Sequence, residues 1–113
     1  MKTDNLKYKM LVTDMDCTLL NKEKKISERN REAVRKAMEK GVHMVVATGR
    51  IYTSARVYAK LLGVSTPIIA SNGAIIREAA FNNPQDTERT IYKDTLRPET
   101  VNEMIRLSRK YGL

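Results

Sequence analysis

The sequence contains no tryptophan, one phenylalanine and one cysteine among its 113 residues. A lone cysteine, Cys17, cannot form an internal disulfide, which favours a reducing compartment, and we expect a cytoplasmic protein. The apolar runs are a few residues long, far short of the ~20 that span a bilayer. The first residues, MKTDNLKYK, carry no apolar signal core. We therefore predict neither secretion nor a membrane partner.

The composition is basic, with 21 lysines and arginines against 13 acidic residues and a net charge of +8. The excess is spread along the chain, and between residues 22 and 36 the cations are interspersed with Glu23, Glu28 and Glu32. Nucleic-acid-binding surfaces instead combine clustered cations with aromatic side chains on which bases stack. We interpret the charge as a solvated basic surface and expect no nucleic-acid partner.

Three short apolar runs are expected to form buried strands, at residues 8–13, 42–47 and 67–70. A segment with a helical repeat of apolar residues fills each interval between these runs. The alternation of strand and helix is typical of a parallel sheet covered by helices. The sequence therefore predicts an α/β fold.

The two helices have recognisable ends and apolar faces. Ser27 can cap the first and Gly41 can end it, whereas Gly63 ends the second. The apolar face of the first helix is expected to comprise Ala33, Val34, Ala37 and Met38. That of the second is expected to comprise Val57, Tyr58, Leu61 and Leu62.

The pattern changes after residue 70. Asn72 and Gly73 form a tight-turn dipeptide, and the apolar residues 74–76 that follow it predict a hairpin. A second turn is expected at Asn82-Asn83-Pro84, and a strand at residues 89–96. Pro98 then opens a last helix, which ends near Gly112. Its apolar face is expected to comprise Val101, Met104, Ile105 and Ser108.

Two aspartates, Asp14 and Asp16, follow the first predicted strand. Residues two apart at the carboxyl end of a strand can project to the same side, and open α/β sheets bind ligands at that end. Close carboxylates repel each other unless a cation neutralises them, and Mg²⁺ is usually shared between carboxylates and a phosphate. Peptide N–H groups of the turn, at Met15 and Cys17, could hold the anion. Alternatively, both aspartates only end the strand and cap the turn.

The second predicted strand also ends in a group suited to phosphate. Thr48, Gly49 and Arg50 lead into a helix N-terminus, whose partial positive charge attracts anions. This second group favours a Mg²⁺ and phosphate site over simple capping. Arg50 could equally reach phosphate or pair with a carboxylate. His43 lacks ligand-type neighbours at metal spacing, so we expect a strand residue rather than a metal ligand.

Three motifs each follow a predicted strand: D-x-D-x-T-L-L from Asp14, T-G-R from Thr48 and S-N-G-A from Ser71. Their order and spacing resemble the Cof-type branch of the haloacid dehalogenase superfamily over essentially the whole chain. The resemblance implies a Rossmann-like core, incomplete here, with an inserted α/β cap. Residues 1–82 would form the N-terminal part of the core, and residues 83–113 the start of the cap.

The resemblance also implies a two-step phosphatase mechanism. Asp14 would attack phosphorus and form an aspartyl phosphate, and Asp16 would act as general acid and then as general base. Asp14 and Asp16 would also hold Mg²⁺. The phosphate-binding residues would be Thr48, Gly49, Met15 and Cys17, and those near the substrate Thr18, Arg50, Asn72 and Gly73.

The chain departs from the family pattern in two respects. Position 17 is usually glycine in this branch, and Cys17 is interpreted as a structural substitution of little consequence, although its thiol could narrow the leaving-group space. The lysine of the third family motif and the acidic Mg²⁺ ligands of the fourth are missing. We expect the chain alone to be inactive or nearly so, because such residues act as a unit. Its exposed sheet edge should favour self-association.

The leading functional hypothesis is a Mg²⁺-dependent phosphate monoester hydrolase that acts on small phosphorylated metabolites such as sugar phosphates. The alternative is a truncated, non-catalytic relative that binds phosphate or Mg²⁺, or that serves as an interaction module. A basic nucleic-acid-binding module is the weakest of the three hypotheses.

Overall fold

The strands and helices follow the predicted α/β order in a computed structural model that describes residues 5–79, 81 and 88–113. The strands are β1 (Met10–Thr13), β2 (His43–Val46), β3 (Ile68–Ala70), β4 (Ile75–Arg77) and β5 (Thr90–Lys93). The helices are α1 (Glu28–Glu39), α2 (Tyr52–Leu62) and α3 (Pro98–Tyr111). A 3₁₀ turn, Ser71–Gly73, joins β3 to β4.

The first three strands are parallel, and the last three form an antiparallel meander. β1 pairs with β2 in parallel, and a parallel bridge between Ala47 and Ile69 joins β2 to β3. β4 pairs with both β3 and β5 in antiparallel register. The predicted parallel sheet and the hairpin after residue 70 are therefore confirmed. β5, which belongs to the segment predicted to start the cap, pairs with β4 of the hairpin, and the domain division at residue 82 stays a prediction. The turn expected at Asn82-Asn83-Pro84 lies outside the described residues.

The helix ends agree with the sequence, but the buried face of α2 does not. Ser27 Oγ accepts the amide proton of Asn30 at 3.1 Å and so caps α1. In α2, Val57 and Leu61 are more than half exposed, so their assignment to the core is wrong, as is that of the exposed Ala33 in α1. The face that α2 buries consists of Tyr52, Ala55, Ala59 and Leu62. Two alanines on this face allow the helix to approach β3 closely, which turns Val57 and Leu61 outward.

Most of the core lies between the two helices and β2 and β3. One cluster includes Met15, Val46 and Ile68 together with the alanines of α2. A second combines Val34 of α1 with Met44 of β2 and residues at the end of α2. Since Met44 and Val46 lie on the same face of β2, both helices pack on one side of the sheet.

The prediction that the first strand is buried is wrong. Met10, Leu11 and Val12 keep 57%, 50% and 50% of their surface exposed. β1 has β2 along one edge, and no other strand in the described part of the chain lies along its opposite edge. The helices pack on β2 and β3 instead. The exposed edge is thus present as expected, and self-association through it stays a prediction.

Helix α3 has the predicted apolar face, but this face packs against no described core. A groove of about 450 Å³ runs along it, and no residue of α3 is buried. The groove is lined by Leu96, Val101, Met104, Ile105, Ser108 and Arg109. Among the residues that the structure describes, no helix has the length and apolarity needed to cross a bilayer.

A partly buried polar network ties α2 to the segment that precedes β5. The Tyr52 hydroxyl lies 2.7 Å from Glu88 Oε2, and Arg56 forms an ion pair with the same carboxylate. Burial together with Glu88 raises the pKa of Tyr52 to about 12. Burial alone would raise the pKa of Glu88, but the hydrogen bonds from Arg56 and Tyr52 outweigh it and hold that pKa below 4.5.

Replacing Glu88 by glutamine should therefore reduce stability at neutral pH and weaken its dependence on acid. A carboxylate with a lowered folded pKa stabilises the protein above its unfolded pKa, and this stabilisation is lost as the pH falls through the folded value. We expect a loss of about 1 kcal/mol at pH 6, since Arg56 is partly exposed, and this loss should shrink as the pH falls through the folded pKa of Glu88. Urea unfolding between pH 6 and pH 3 measures the stability loss and its dependence on pH. Glu78→Gln, which removes the more exposed pair with Arg89, is the matched control; an equal loss in both variants would contradict the prediction.

Candidate functional site

A cleft of about 440 Å³ opens at the carboxyl ends of the three parallel strands. It brings together residues from all three sequence motifs, although the first and the third lie more than 50 positions apart in the chain. The lining residues are Asp14, Ala47, Thr48, Gly49, Ile69, Asn72 and Gly73. The structure thus places five of the predicted site residues around one cavity.

Asp14 follows β1 directly and is exposed in the cleft. Its Oδ1 accepts the amide proton of Met15 at 2.7 Å, and its carbonyl oxygen accepts the Thr13 hydroxyl at 2.9 Å. The Met15 amide, predicted to bind phosphate, is therefore occupied by Asp14 itself. The Met15 side chain is fully buried in the core, which anchors the loop that carries the aspartate.

The loops after β2 and β3 are tied to each other by their backbones. The amide of Asn72 donates to the Thr48 carbonyl at 3.1 Å, and the amide of Ser71 donates to the Arg50 carbonyl at 2.8 Å. Thr48 is buried, and its hydroxyl oxygen accepts the Arg50 amide at 3.1 Å. The hydroxyl proton of Thr48 is then available to an oxygen bound in the cleft. The arrangement suits an anion at the N-terminal end of α2.

Asp16 is held by two cations rather than directed into the cleft. Arg50 Nε lies 2.7 Å from Oδ2 and Arg50 Nη2 lies 2.8 Å from Oδ1, and Lys24 Nζ lies 2.7 Å from Oδ1. Of the two alternatives left open for Arg50, the structure shows the carboxylate pair. Arg50 first and Lys24 second hold the pKa of Asp16 well below its usual range. This arrangement keeps Asp16 ionised, whereas a general acid must carry a proton.

Lys24 belongs to a flap, residues 20–26, that the sequence did not single out. Leu20 and Ile26 form an antiparallel bridge, the amide of Asn21 donates to the Lys25 carbonyl at 2.9 Å, and the amide of Lys24 donates to the Asn21 carbonyl at 3.0 Å. The contact between Lys24 and Asp16 depends on the geometry of this turn, for which the sequence carries no recognisable signal. Thr18, expected near the substrate, lies exposed in the turn before the flap.

Cys17 has a left-handed backbone, with φ of 60°. This conformation costs a residue with a Cβ about 1–2 kcal/mol, whereas glycine adopts it readily. That Cys17 is a substitution of little consequence stays a prediction, although this backbone conformation would favour glycine at position 17. The thiol is exposed.

Cys17→Gly should stabilise the chain by about 0.5–1 kcal/mol, because relief of the left-handed strain exceeds the extra freedom that glycine gains when unfolded. The midpoint of urea unfolding at constant slope measures this. Cys17→Ala removes the thiol but keeps the Cβ, so we expect no gain from it. A gain from alanine equal to that from glycine would show that the thiol, and not the backbone, is responsible.

The residues at the cleft fit Mg²⁺ in part. Asp14 offers a carboxylate, and Mg²⁺ normally takes one or two carboxylates and keeps several waters. The carboxylate of Asp16 is engaged by cations. Within residues 5–79, 81 and 88–113, no three side chains of histidine, cysteine, aspartate or glutamate form a group that could hold a metal. The described residues therefore supply part of a Mg²⁺ site and do not complete one.

The family model of haloacid dehalogenase-like hydrolases matches residues 11–113. The chain belongs to this family. It is 42% identical over 79 residues to the 5-amino-6-(5-phospho-D-ribitylamino)uracil phosphatase YcsE of Bacillus subtilis, an alignment that covers 70% of the chain and 32% of the relative.

Solved structures agree with the sequence relatives. A haloacid dehalogenase-like hydrolase of Bacteroides thetaiotaomicron superposes with a TM-score of 0.78 and 31% identity, over 92% of the chain and 38% of that protein. A subclass IIB sugar phosphatase of the superfamily superposes with a TM-score of 0.69 and 28% identity, over 92% of the chain and 38% of that protein. The chain thus spans about a third of the length of these relatives.

Proposed function

We propose that this sequence is the N-terminal portion of a Cof-type, Mg²⁺-dependent phosphate monoester hydrolase. The observation that supports this most strongly is the meeting of Asp14, Thr48 and Gly49 in one cleft at the carboxyl ends of parallel strands. A carboxylate nucleophile beside a hydroxyl and a helix N-terminus suits phosphoryl transfer, which depends chiefly on positioning and electrostatics. The named phosphatases among its relatives add to this proposal.

In the proposed reaction, the carboxylate of Asp14 attacks phosphorus, the bond from phosphorus to the ester oxygen breaks, and an aspartyl phosphate forms. Asp16 gives its proton to the departing alkoxide and later takes a proton from the water that hydrolyses the intermediate. The hydroxyl of Thr48 and the amide of Gly49 bind the phosphate oxygens. For Asp16 to act in this way, its contacts with Arg50 and Lys24 must first be broken and its carboxylate must take up a proton from solvent.

Asp14 and the main-chain carbonyl of Asp16 would hold Mg²⁺, together with ligands that the described residues do not supply. The ion would offset the repulsion between the carboxylate of Asp14 and the phosphate. The family lysine and the acidic ligand pair are also missing from the sequence. We therefore propose that the 113-residue chain alone has little or no turnover.

The proposed substrates are small phosphorylated metabolites, with sugar phosphates as the leading class. The support comes from relatives: one is named for a phosphorylated ribitylamino compound and another is named a sugar phosphatase. We further propose a cytoplasmic location, with neither nucleic acid nor a membrane as partner. Asn72 and Gly73, which line the cleft, would lie nearest the part of the substrate beyond the phosphate.

A non-catalytic phosphate-binding or interaction module is the second candidate function. The pairing of Asp16 with Arg50 and Lys24 favours it, because an aspartate held ionised by two cations cannot act as an acid. Under this alternative, the cleft would bind phosphate and Asp14 would not be phosphorylated.

Two measurements on the purified chain test these proposals. Titration with inorganic phosphate and Mg²⁺ should shift the amide resonances of Thr48 and Gly49, and absence of any shift would contradict the phosphate site. Mg²⁺-dependent hydrolysis of an aryl phosphate, with Asp14→Asn as the isosteric control, then separates the two functions. We expect at most a trace of turnover, lost in the control. Binding without any Asp14-dependent turnover would favour the non-catalytic module, and rapid turnover would show that the missing groups are dispensable.

A further inference from the structure

The side chain of Arg50 is fixed on three sides. Its Nε and Nη2 hold both oxygens of Asp16, its Nη1 donates to Ser54 Oγ at 3.0 Å, and its guanidinium lies 5.1 Å from the centre of the Tyr58 ring. A bidentate pair of this kind has a geometry that lysine cannot reproduce. Arg50 thus connects the Asp16 loop to one face of α2.

The flap joins this cluster through Lys24 at two points. Its Nζ contacts Asp16, and its carbonyl oxygen accepts the Tyr58 hydroxyl at 3.1 Å. Lys24 also has a left-handed backbone, with φ of 59°, so the turn that presents it is strained. The contacts with Asp16 and Tyr58 hold this turn against α2 and close a ring of interactions around the Asp16 carboxylate.

This ring of contacts fixes the orientation of the Asp16 side chain. Both of its oxygens contact Arg50, and Asp16 is not among the residues that line the cleft. Arg50 does not line the cleft, but it follows Gly49 directly, so a turn of its side chain would bring the guanidinium toward a phosphate bound at Thr48 and Gly49. Phosphate offers the same pair of acceptor oxygens as a carboxylate. It can therefore compete with Asp16 for Arg50.

We propose that Lys24 is a positioning residue that, with Arg50, keeps Asp16 turned away from the cleft until a phosphate group draws Arg50 away. The ring of Lys24, Asp16, Arg50 and Tyr58 then acts as a latch on the flap. When Arg50 turns to phosphate, Asp16 is left with Lys24 alone and can turn toward the cleft. The existence of the latch is independent of the proposed function, whereas its release by phosphate rests on it.

The latch itself is tested without any ligand, by amide hydrogen exchange of Asn21 and Lys25 in the flap. Both amides are hydrogen-bonded there, so their exchange reports flap opening. Lys24→Gln should accelerate exchange about two- to five-fold, the effect expected of a partly exposed ion pair. Tyr58→Phe should accelerate it to a similar extent, and Lys24→Arg should restore the wild-type rate.

Lys25→Gln is the matched control, because it removes the same charge one residue further along the flap. We expect its exchange rates to equal those of the wild type after correction for intrinsic rates. If Lys24→Gln and Tyr58→Phe also leave the flap rates unchanged, the latch is overturned. If Lys24→Gln and Lys25→Gln accelerate exchange equally, flap charge in general is responsible and the specific contact of Lys24 is overturned.

Release is tested by adding inorganic phosphate with Mg²⁺ and following the Nε–H resonance of Arg50. We expect this resonance to shift together with the amides of Thr48 and Gly49. Chloride at equal ionic strength is the control. Shifts at Thr48 and Gly49 without a change at Arg50 would overturn release while leaving the phosphate site intact. No shift at any of these positions would overturn release and the phosphate site together. Hydrogen exchange of the variants without ligand would still show whether the latch exists.

Discussion

Replacing Ile68 by alanine should remove a large part of the free energy of unfolding of the chain. Ile68 is fully buried in β3, where it packs in the cluster that joins the sheet to α2. Truncation of a buried isoleucine to alanine typically costs about 2–5 kcal/mol, because a cavity remains. The exposed apolar side chains of β1 and α3 place the total stability near the lower end of the usual range, about 5 kcal/mol. The loss is therefore a large part of the total stability.

Ile51→Ala is the matched control for this prediction. Ile51 keeps 64% of its surface exposed, so the same chemical change should alter the free energy of unfolding by less than about 0.5 kcal/mol. Urea unfolding followed by far-UV circular dichroism measures both variants. Similar losses in the two variants would contradict the core described for β3 and α2.

Replacing Gly49 by alanine should weaken phosphate binding about five-fold and reduce stability by about 1 kcal/mol. A Cβ built at Gly49 would lie 2.9 Å from Asn72 Oδ1, which is closer than such atoms approach. The Asn72 amide is the end of a flexible side chain, so it can rotate away at a cost of about 1 kcal/mol. Because Asn72, Gly49 and Thr48 line the same cleft, the rotated Asn72 amide and the added methyl group change the space that is open to phosphate.

A double-mutant cycle with Asn72→Ala separates this contact from other effects of the substitution. With Asn72 truncated, the added methyl group has space, so Gly49→Ala should then cost little in stability or in phosphate affinity. A coupling energy of about 1 kcal/mol or more is expected for residues in direct contact. Additive effects of the two substitutions would show that the Asn72 contact does not account for the requirement for glycine. Unfolding midpoints and phosphate titrations supply both measurements.

The order of the elements and the place of the cleft could be predicted from the sequence, because both depend on local signals. Ser27 and the glycines at the helix ends define the helices through short-range backbone preferences. The motifs from Asp14 and Thr48 come directly after strands, and parallel strands bring their carboxyl ends to one edge. The candidate site at these positions followed from that rule, and the structure places Asp14, Thr48 and Gly49 around one cleft.

The buried residues could be predicted less well than the element order, because burial depends on which strands and helices pack around each residue. The apolar pattern of β1 predicts a buried strand, yet Leu11 and Val12 stay half exposed where no described element covers them. In α2 the sequence pattern favours Val57 and Leu61 for the packed face, but the structure buries Ala55 and Ala59 there instead. Close approach of the helix to β3 selects small side chains, and hydrophobicity alone does not carry that information.

The sequence by itself determined the α/β order, the family motifs and the chemical types at the site, since each depends on residue identity and spacing along the chain. Only the tertiary structure decided how those side chains are paired. The flap turn places Lys24 beside Asp16, and the Arg50 side chain pairs with the Asp16 carboxylate instead of extending into the cleft. Pairing depends on distances between side chains from different loops, and these distances are fixed only when strands, helices and turns pack together.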